Sequence, residues 1–454
     1  MSRDTHKWWV LVAVGISTFM SALDSSVVNI VIPVIHREFA ASVAAVEWVV
    51  IIYLLLVSGL LLTFGRLGDL YGHRRIFLSG FLIFVLSSMA CGLAPSVGML
   101  VLFRAVQAIG AAMLAANSPA ILTKSFPAEQ RGQALGMQAT MTYLGLTVGP
   151  ILGGWLATRF GWRAVFYINV PVGILALLAG FLFVPRDSGE GAEPFDLRGA
   201  ALFILGLSAL LLALNQGESW GWGSPAVLGL LAAAAALLVL FLRLEAGASS
   251  PMLDLSLFRV RLFSASTLSA LLNYICVFGI VFLMPFYLIQ GRQMTPAQAG
   301  LVLSAQSLVM AVVAPLSGAL SDRIGTRLPG TAGMAILALG MFLLSRLGEA
   351  ATSWQAALAL AVAGLGIGLF VSPNNSALMG SAPRERQGIA AGILATARSV
   401  GMVLGLGMAG AIFTTVLNGH DPVSSPLLFQ AVGAGFTGAM TVALFGVVVT
   451  ALRE

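Results

Sequence analysis

GRLGDLYGHRR, residues 65–75, and GALSDRIGTR, residues 318–327, are two copies of one pattern. In each, aspartate follows the first glycine by four positions (Asp69, Asp322) and a second glycine follows it by seven (Gly72, Gly325). A second series agrees: Pro127, Gly132, Gly136, Gly145 and Gly149 correspond to Pro383, Gly388, Gly392, Gly401 and Gly405 with identical spacing, and Pro33 corresponds to Pro285. All these offsets lie between 252 and 256 residues. Chance matches are common in a chain with 51 glycines, but ordered landmarks at one near-constant offset are not. The chain is duplicated.

The duplicated unit is written in the language of lipid. Of 454 residues, 58% are hydrophobic and 9% charged, against roughly a quarter charged in an average soluble chain. Apolar runs at 8–34, 46–65, 75–95, 97–121, 133–157, 163–184, 197–216, 224–243, 262–290, 297–320, 329–347, 354–379, 388–417 and 426–451 each approach or exceed the roughly 20 residues a helix needs to cross a hydrocarbon core. The first run is too long for a cleaved signal and carries polar residues past its middle, so it reads as helix one. Lys and Arg fall unevenly on alternate connections, about 17 on the side of both termini and about 5 on the other, which places both termini in the cytoplasm. Arg104 and Arg398 fall within spans. The net charge of +6 is scattered through short loops rather than clustered, which argues against nucleic acid. Cys91 and Cys276 lie in apolar runs and read as packing residues.

The expected fold is an all-α integral membrane protein of 14 transmembrane helices. Residues 1–190 form an N-terminal six-helix lobe, residues 191–245 an inserted pair, helices seven and eight, and residues 246–454 a linker helix and a C-terminal six-helix lobe. The linker helix is PMLDLSLFRVRLF from Pro251, whose leucines, phenylalanines, Asp254, Arg259 and Arg261 suit a helix lying on the membrane surface. Duplicated lobes with a site between them are the physical basis of alternating access.

These segments resemble the major facilitator superfamily, and the extra central pair resembles its fourteen-helix drug:proton antiporter family, the EmrB/QacA-like group. LDSSVVNIVIP from Leu23, Trp48 with Tyr53, RAVQAIGAA from Arg104, GLTVGPILGG from Gly145 and WRAVFYINVPVG from Trp162 carry the likeness beyond the loops. The first loop departs from the family pattern at Leu70 and His73, where basic residues are usual, whereas the second copy keeps Arg323. The resemblance implies a major facilitator fold and proton-driven export. It also implies gating loops built on Gly65, Asp69, Gly72, Arg74 and Arg75 and on Gly318, Asp322, Arg323 and Gly325.

Asp24 is the acidic residue placed deep inside a span. A charge there costs several kcal/mol and is functional by default. Such a carboxyl can load and release protons, with Arg104, which the family turns toward the same lobe's interior, as its cation; a structural ion pair is the alternative. Asn29 and Gln107 extend a polar network or merely join helices, through hydrogen bonds worth about 1 kcal/mol. Gly145, Gly149 and Gly153, with Gly154 beside them, form a bare stripe, and Pro150 withdraws a backbone donor and can bend the helix. A contact between lobes that seals one side, or ordinary small-residue packing, would use such a stripe. Tyr53, Gln138, Tyr274, Gln306, Asn375 and Arg398 are the candidates for the substrate cavity.

Enzymatic signals fail. Gly405, Gly407 and Gly410 spell a dinucleotide pattern inside a membrane helix with no preceding strand, and no phosphate loop exists. His6, His36, His73 and His420 are dispersed and offer no metal site by spacing. The expectation is a monomeric, cofactor-free exporter in a bacterial inner membrane, driven by protons, contacting lipids and carrying amphiphilic small molecules. A potential contributes about 2.3 kcal/mol per charge per 100 mV, enough to drive it. A dedicated exporter of a metabolite, antibiotic or lipid is the alternative, a non-transporting receptor or scaffold a further one, and a membrane enzyme the most distant.

Overall fold

The computed structural model describes residues 3–187, 195–221, 223–247, 251, 253–417 and 427–453. The side chains of Asn29 and Pro150 lie outside the described residues, and so does His420. The helices run, in order, α1 (Arg3–Glu38), α2 (Val43–Tyr71), α3 (His73–Gly92), α4 (Val97–Ser125), α5 (Arg131–Phe160), α6 (Ala164–Tyr167), α7 (Asn169–Phe183), α8 (Leu197–Trp220), α9 (Pro225–Glu245), α10 (Arg261–Pro285), α11 (Pro296–Ile324), α12 (Arg327–Ser345), α13 (Ser353–Ser381), α14 (Gln387–Leu417) and α15 (Leu428–Ala451). Among the described residues, 13 helices are long and apolar enough to cross a membrane.

Local chemistry sets their ends. Ser42 and Ser96 accept hydrogen bonds from the backbone N–H groups of Ala45 (3.2 Å) and Met99 (3.3 Å), satisfying donors that a helix start leaves open. Thr295 and Gln298 form a reciprocal capping box on α11. Gly72 and Gly325, the second glycines of the two loops, end α2 and α11 at φ of 94° and 84°, a conformation that glycine adopts without steric cost.

The chain forms two compact units: Met1–Leu210 with Leu230–Leu255 and Ala382–Thr396, and Leu211–Gly229 with Ser256–Ser381 and Ala397–Glu454. In the first, α4 packs against α2 and α3, α1 against α5 and α7, and α3 against α7. Beside them, α8 meets α2 at Gly59 and α9 through Phe203 and Phe241, whose rings are 5.3 Å apart. The second unit repeats these pairings: α13 packs on α11 and α12, and α15 on α10 and α12. Gly401 and Gly405 bring α14 onto α10, where an added Cβ at Gly401 would sit 2.5 Å from the Leu271 carbonyl.

Two expectations change, and one is refined. The helix from Pro251 is replaced by a five-residue 3-10 turn, Leu255–Arg259, with Leu253 and Leu257 buried. Its upstream end is held because the Leu253 N–H donates to Glu245 (3.0 Å), while Phe258, Arg259, Val260 and Arg261 are exposed. The run 163–184 is kept as one crossing, Ala164–Phe183, interrupted only at Ile168 between α6 and α7, with Pro171 in the first turn of α7, where a missing N–H is harmless. The stripe Gly145, Gly149 and Gly153, considered for a contact between lobes, faces α1 of its own unit: an added Cβ at Gly145 would lie 2.7 Å from the Phe19 carbonyl oxygen and 2.8 Å from Ala22 Cβ.

Those distances make Gly145→Leu an overpacking change, with a typical cost of about 1–3 kcal/mol. It should lower the melting temperature of the solubilised protein, whereas Gly154→Ala, with nothing within 4 Å of the added Cβ, should not. Thermal unfolding followed by size-exclusion chromatography reads both.

Candidate functional site

Side chains from four helices gather around one carboxylate on a fifth. Asp24 lies on α1 among the buried apolar residues Leu23, Val27 and Val28, and its own exposure is 0%. Arg104 and Gln107 sit three residues apart on α4, so they share a face. Tyr53 comes from α2, Ser88 from α3 and Asn169 from the first position of α7. Asparagine is a weak helix former that suits a helix start.

The contacts are short and mostly charge-assisted. Arg104 Nη1 lies 2.7 Å from Asp24 Oδ2 and also donates to Gln107 Oε1 at 2.7 Å. Arg104 Nε donates to the Val49 carbonyl (3.2 Å), and its guanidinium carbon lies 4.0 Å from the centroid of the Tyr53 ring. Asp24 Oδ1 accepts from Gln107 Nε2 (3.1 Å) and Asn169 Nδ2 (2.7 Å). Both amides also donate to Ser88 Oγ, at 2.9 and 3.0 Å, and Ser88 donates to the Phe166 carbonyl at 3.3 Å. Cys91 Sγ lies 3.8 Å from Gln107 Oε1. Removing one partner of such a buried pair costs about 3–5 kcal/mol, because the other charge is left uncompensated.

Toward the far end of α1 the network is closed by apolar packing. Val27, Val28, Val31 and Ile35 join Val46 and Val49, Leu100, Leu156, Trp162 and Phe166 in one buried cluster. Beyond it, Glu38 accepts from Trp162 Nε1 (2.7 Å) and pairs with Arg163, which also lies 4.4 Å over the Trp162 ring.

At the opposite end of α2, Asp69 does not gather Arg74 and Arg75 as expected. Its Oδ1 accepts from the Gly388 N–H (2.8 Å) and its Oδ2 from the Ile389 N–H (2.9 Å). These are open donors in the first turn of α14, where a negative charge also meets the positive end of the helix dipole. His73 lies 3.3 Å from Asp69 and 2.8 Å from Asn117 Oδ1. Gly65 makes the approach possible, since any Cβ there would overlap the Gly388 carbonyl. Arg74 instead donates to the Phe181 carbonyl (2.6 Å) at the last turn of α7, and Arg75 is exposed. Asp187 caps α3 through the N–H groups of His73 (2.9 Å) and Arg74 (3.2 Å).

In the second loop copy Asp322 is half-buried and Arg323 exposed, and Ser321 donates to the Gly318 carbonyl (2.8 Å). Arg453, visible in the sequence only as a topology charge, is buried against the Thr326 carbonyl and Asn374.

Of the cavity candidates, Tyr53 and Gln138 belong to the first unit and Tyr274, Gln306, Asn375 and Arg398 to the second. Tyr53 belongs to the Asp24 network. Gln138 donates to Thr18 Oγ1 (3.3 Å), joining α5 to α1. Arg398 lies 6.0 Å over the Tyr274 ring, and Gln306 sits where Gly364 of α13 crosses α11. Asn375 is half-buried on α13. Asn169 and Ser88 are absent from the sequence candidates; the Asn-Val-Pro signal of a helix start marks the first, and nothing marks a lone serine in an apolar run. The side chain of Asn29 lies outside the described residues.

The hydrogen bonds from Arg163 and Trp162, together with the Arg163 charge, hold the Glu38 carboxyl below its ordinary range. The pairing therefore stabilises the fold above the ordinary carboxylate range and is lost as pH falls through the lowered value. Glu38→Gln should lower thermal stability at pH 7, and its melting temperature should change less than that of wild type when the pH is lowered into the acid range.

Comparison with known proteins extends the picture. A profile of the Major Facilitator Superfamily matches residues 14–406 and, again, 266–453. The multidrug resistance protein Stp of Mycobacterium tuberculosis is 36% identical over 409 residues, 90% of this chain and 76% of that protein. The riboflavin transporter RibZ of Clostridioides difficile is 33% identical, covering 92% of this chain and 91% of its own. The tetracenomycin C resistance and export protein of Streptomyces glaucescens is 34% identical over 90% and 76% respectively. In structure, the human organic anion transporter MFSD10 superposes with a TM-score of 0.72 at 15% identity, over 98% of this chain and 99% of that one, a likeness of fold.

Proposed function

The chain belongs to the Major Facilitator Superfamily, and from that premise we propose that it is a proton-coupled exporter of amphiphilic small molecules working by alternating access. Membership makes it a multi-pass membrane transporter of small-molecule substrates rather than an enzyme. The finer reading places it in the fourteen-helix drug:proton antiporter branch. The thirty-residue helix α5 is counted as a crossing beside the 13, and α8 and α9 as the central pair. Relatives named for multidrug resistance and for antibiotic export support the direction of transport and the substrate class. The distribution of Lys and Arg supports an inner-membrane protein with both termini cytoplasmic. It acts as a monomer among lipids, and the proton gradient supplies the energy without a cofactor.

The observation that carries the reading is the buried pair of Asp24 and Arg104. Among the described residues, each group hydrogen-bonded to the Asp24 oxygens is a donor. A proton arriving on Asp24 places a donor among donors, so loading must loosen the Arg104 contact and rearrange four helices against α1. Substrate release and proton uptake are thereby tied to one rearrangement. Asp69 on the α14 N-terminus supplies a second contact that a transport cycle can make and break.

Purified protein in liposomes under an imposed pH gradient tests this with a panel of amphiphilic drugs and dyes. Asp24→Asn should abolish accumulation against a gradient while substrate binding persists. Unchanged concentrative transport by the variant would refute the assignment.

A further inference from the structure

One atom beside Asp24 has no hydrogen-bond partner among the described residues. Asn169 is 1% exposed and its Nδ2 donates twice, yet its Oδ1 is buried without a partner. A buried amide oxygen normally finds a donor, and leaving one unpaired costs about 1–3 kcal/mol.

The inventory of acceptors around the carboxyl gives the orphan a use. Arg104 has donors only. Gln107 Oε1 is occupied by Arg104 and Cys91. Ser88 Oγ receives both amides and spends its own hydrogen on the Phe166 carbonyl. Protonated Asp24 would carry one O–H that needs an acceptor, and among these side chains Asn169 Oδ1 is the one not engaged. The other titratable groups facing Asp24 are Tyr53 on α2, Cys91 on α3 and Arg104 on α4. At this level α5 meets α1 through Gly145 and Gly149, and α7 meets it through Asn169.

We propose that Asn169 is a positioning residue for the proton step, its side-chain amide turning over to follow the charge on Asp24. With Asp24 ionised, Nδ2 donates to the carboxylate and to Ser88, as observed. With Asp24 protonated, a half-turn about Cβ–Cγ exchanges two nearly isosteric atoms, and Oδ1 accepts the new O–H. The same turn withdraws a donor from Ser88, so α7 loses its hydrogen bond to α3 at the moment α1 changes charge. The proton is exchanged with water and no other bond is made or broken. This inference rests on Asp24 as the proton carrier.

Infrared difference spectra between high and low pH, on protein reconstituted in lipid vesicles, test it. The carboxylic C=O band missing from Asp24→Asn belongs to Asp24. In Asn169→Leu, which keeps the bulk and removes both amide atoms, that band should move to higher wavenumber because the acid has lost its acceptor. The half-point of protonation should also move, and the steady-state substrate gradient should fall at least tenfold while downhill movement persists. Asn169→Ser, smaller than asparagine and so free of any clash, should shift the band in the same direction. An unmoved band and a wild-type gradient in either folded variant would overturn the proposal. So would loss of folding in both, which would make Asn169 a folding residue only. If Asp24→Asn itself keeps the band and uphill transport, the proton-carrier assignment fails instead.

Discussion

A carboxylate and a guanidinium 2.7 Å apart, both sealed from solvent inside a membrane protein, constrain everything packed around them. Neither charge can be left alone there, so α1 and α4 are held to each other by this pairing as well as by the packing of their apolar faces. The requirement spreads outward. Arg104 also takes the Val49 carbonyl and the Tyr53 ring from α2, and the Asp24 oxygens recruit α7 directly and α3 through Ser88. Five helices of one unit therefore answer to the protonation of a single side chain, and the apolar cluster from Val27 to Trp162 closes the network toward the Glu38 end.

The two halves of the chain share their helix pairings but not this chemistry. The second unit repeats the contacts of α2, α3 and α4 in α11, α12 and α13, and its glycines Gly401 and Gly405 press α14 on α10 as Gly145 and Gly149 press α5 on α1. At the offset of 252 residues that relates Pro33 to Pro285, Asp24 of the first unit corresponds to Cys276 on α10 of the second, whose Sγ lies 3.3 Å from the Ala439 carbonyl, and Arg398, the cation within α14, stands 6.0 Å over the Tyr274 ring. Duplication has supplied a scaffold twice and, by this reading, the proton site once.

How much of this is legible in the sequence follows from the physics of each feature. The repeat, the helices and the pair of Asp24 with Arg104 are legible because glycine spacing, hydropathy and an ionisable residue in an apolar run are each improbable by accident. Gln107 follows from its position one turn from Arg104. Asn169 is less legible, because Asn before Val-Pro reads first as a helix start, and Ser88 is silent among apolar neighbours. The partners of Asp69 and the direction of the Gly145 stripe depend on which helix arrives opposite, a matter of tertiary packing that local sequence does not encode. The same holds for the contact of the Tyr53 ring with Arg104, 4.0 Å from its guanidinium carbon.

The most direct measurement of the central claim is proton release on substrate binding. Unbuffered detergent-solubilised protein, mixed with a transported substrate and a pH-indicating dye, should release protons when substrate meets the loaded carrier and none when Asp24 is replaced by Asn. Equal release from the two proteins would place the coupling proton elsewhere and contradict the account.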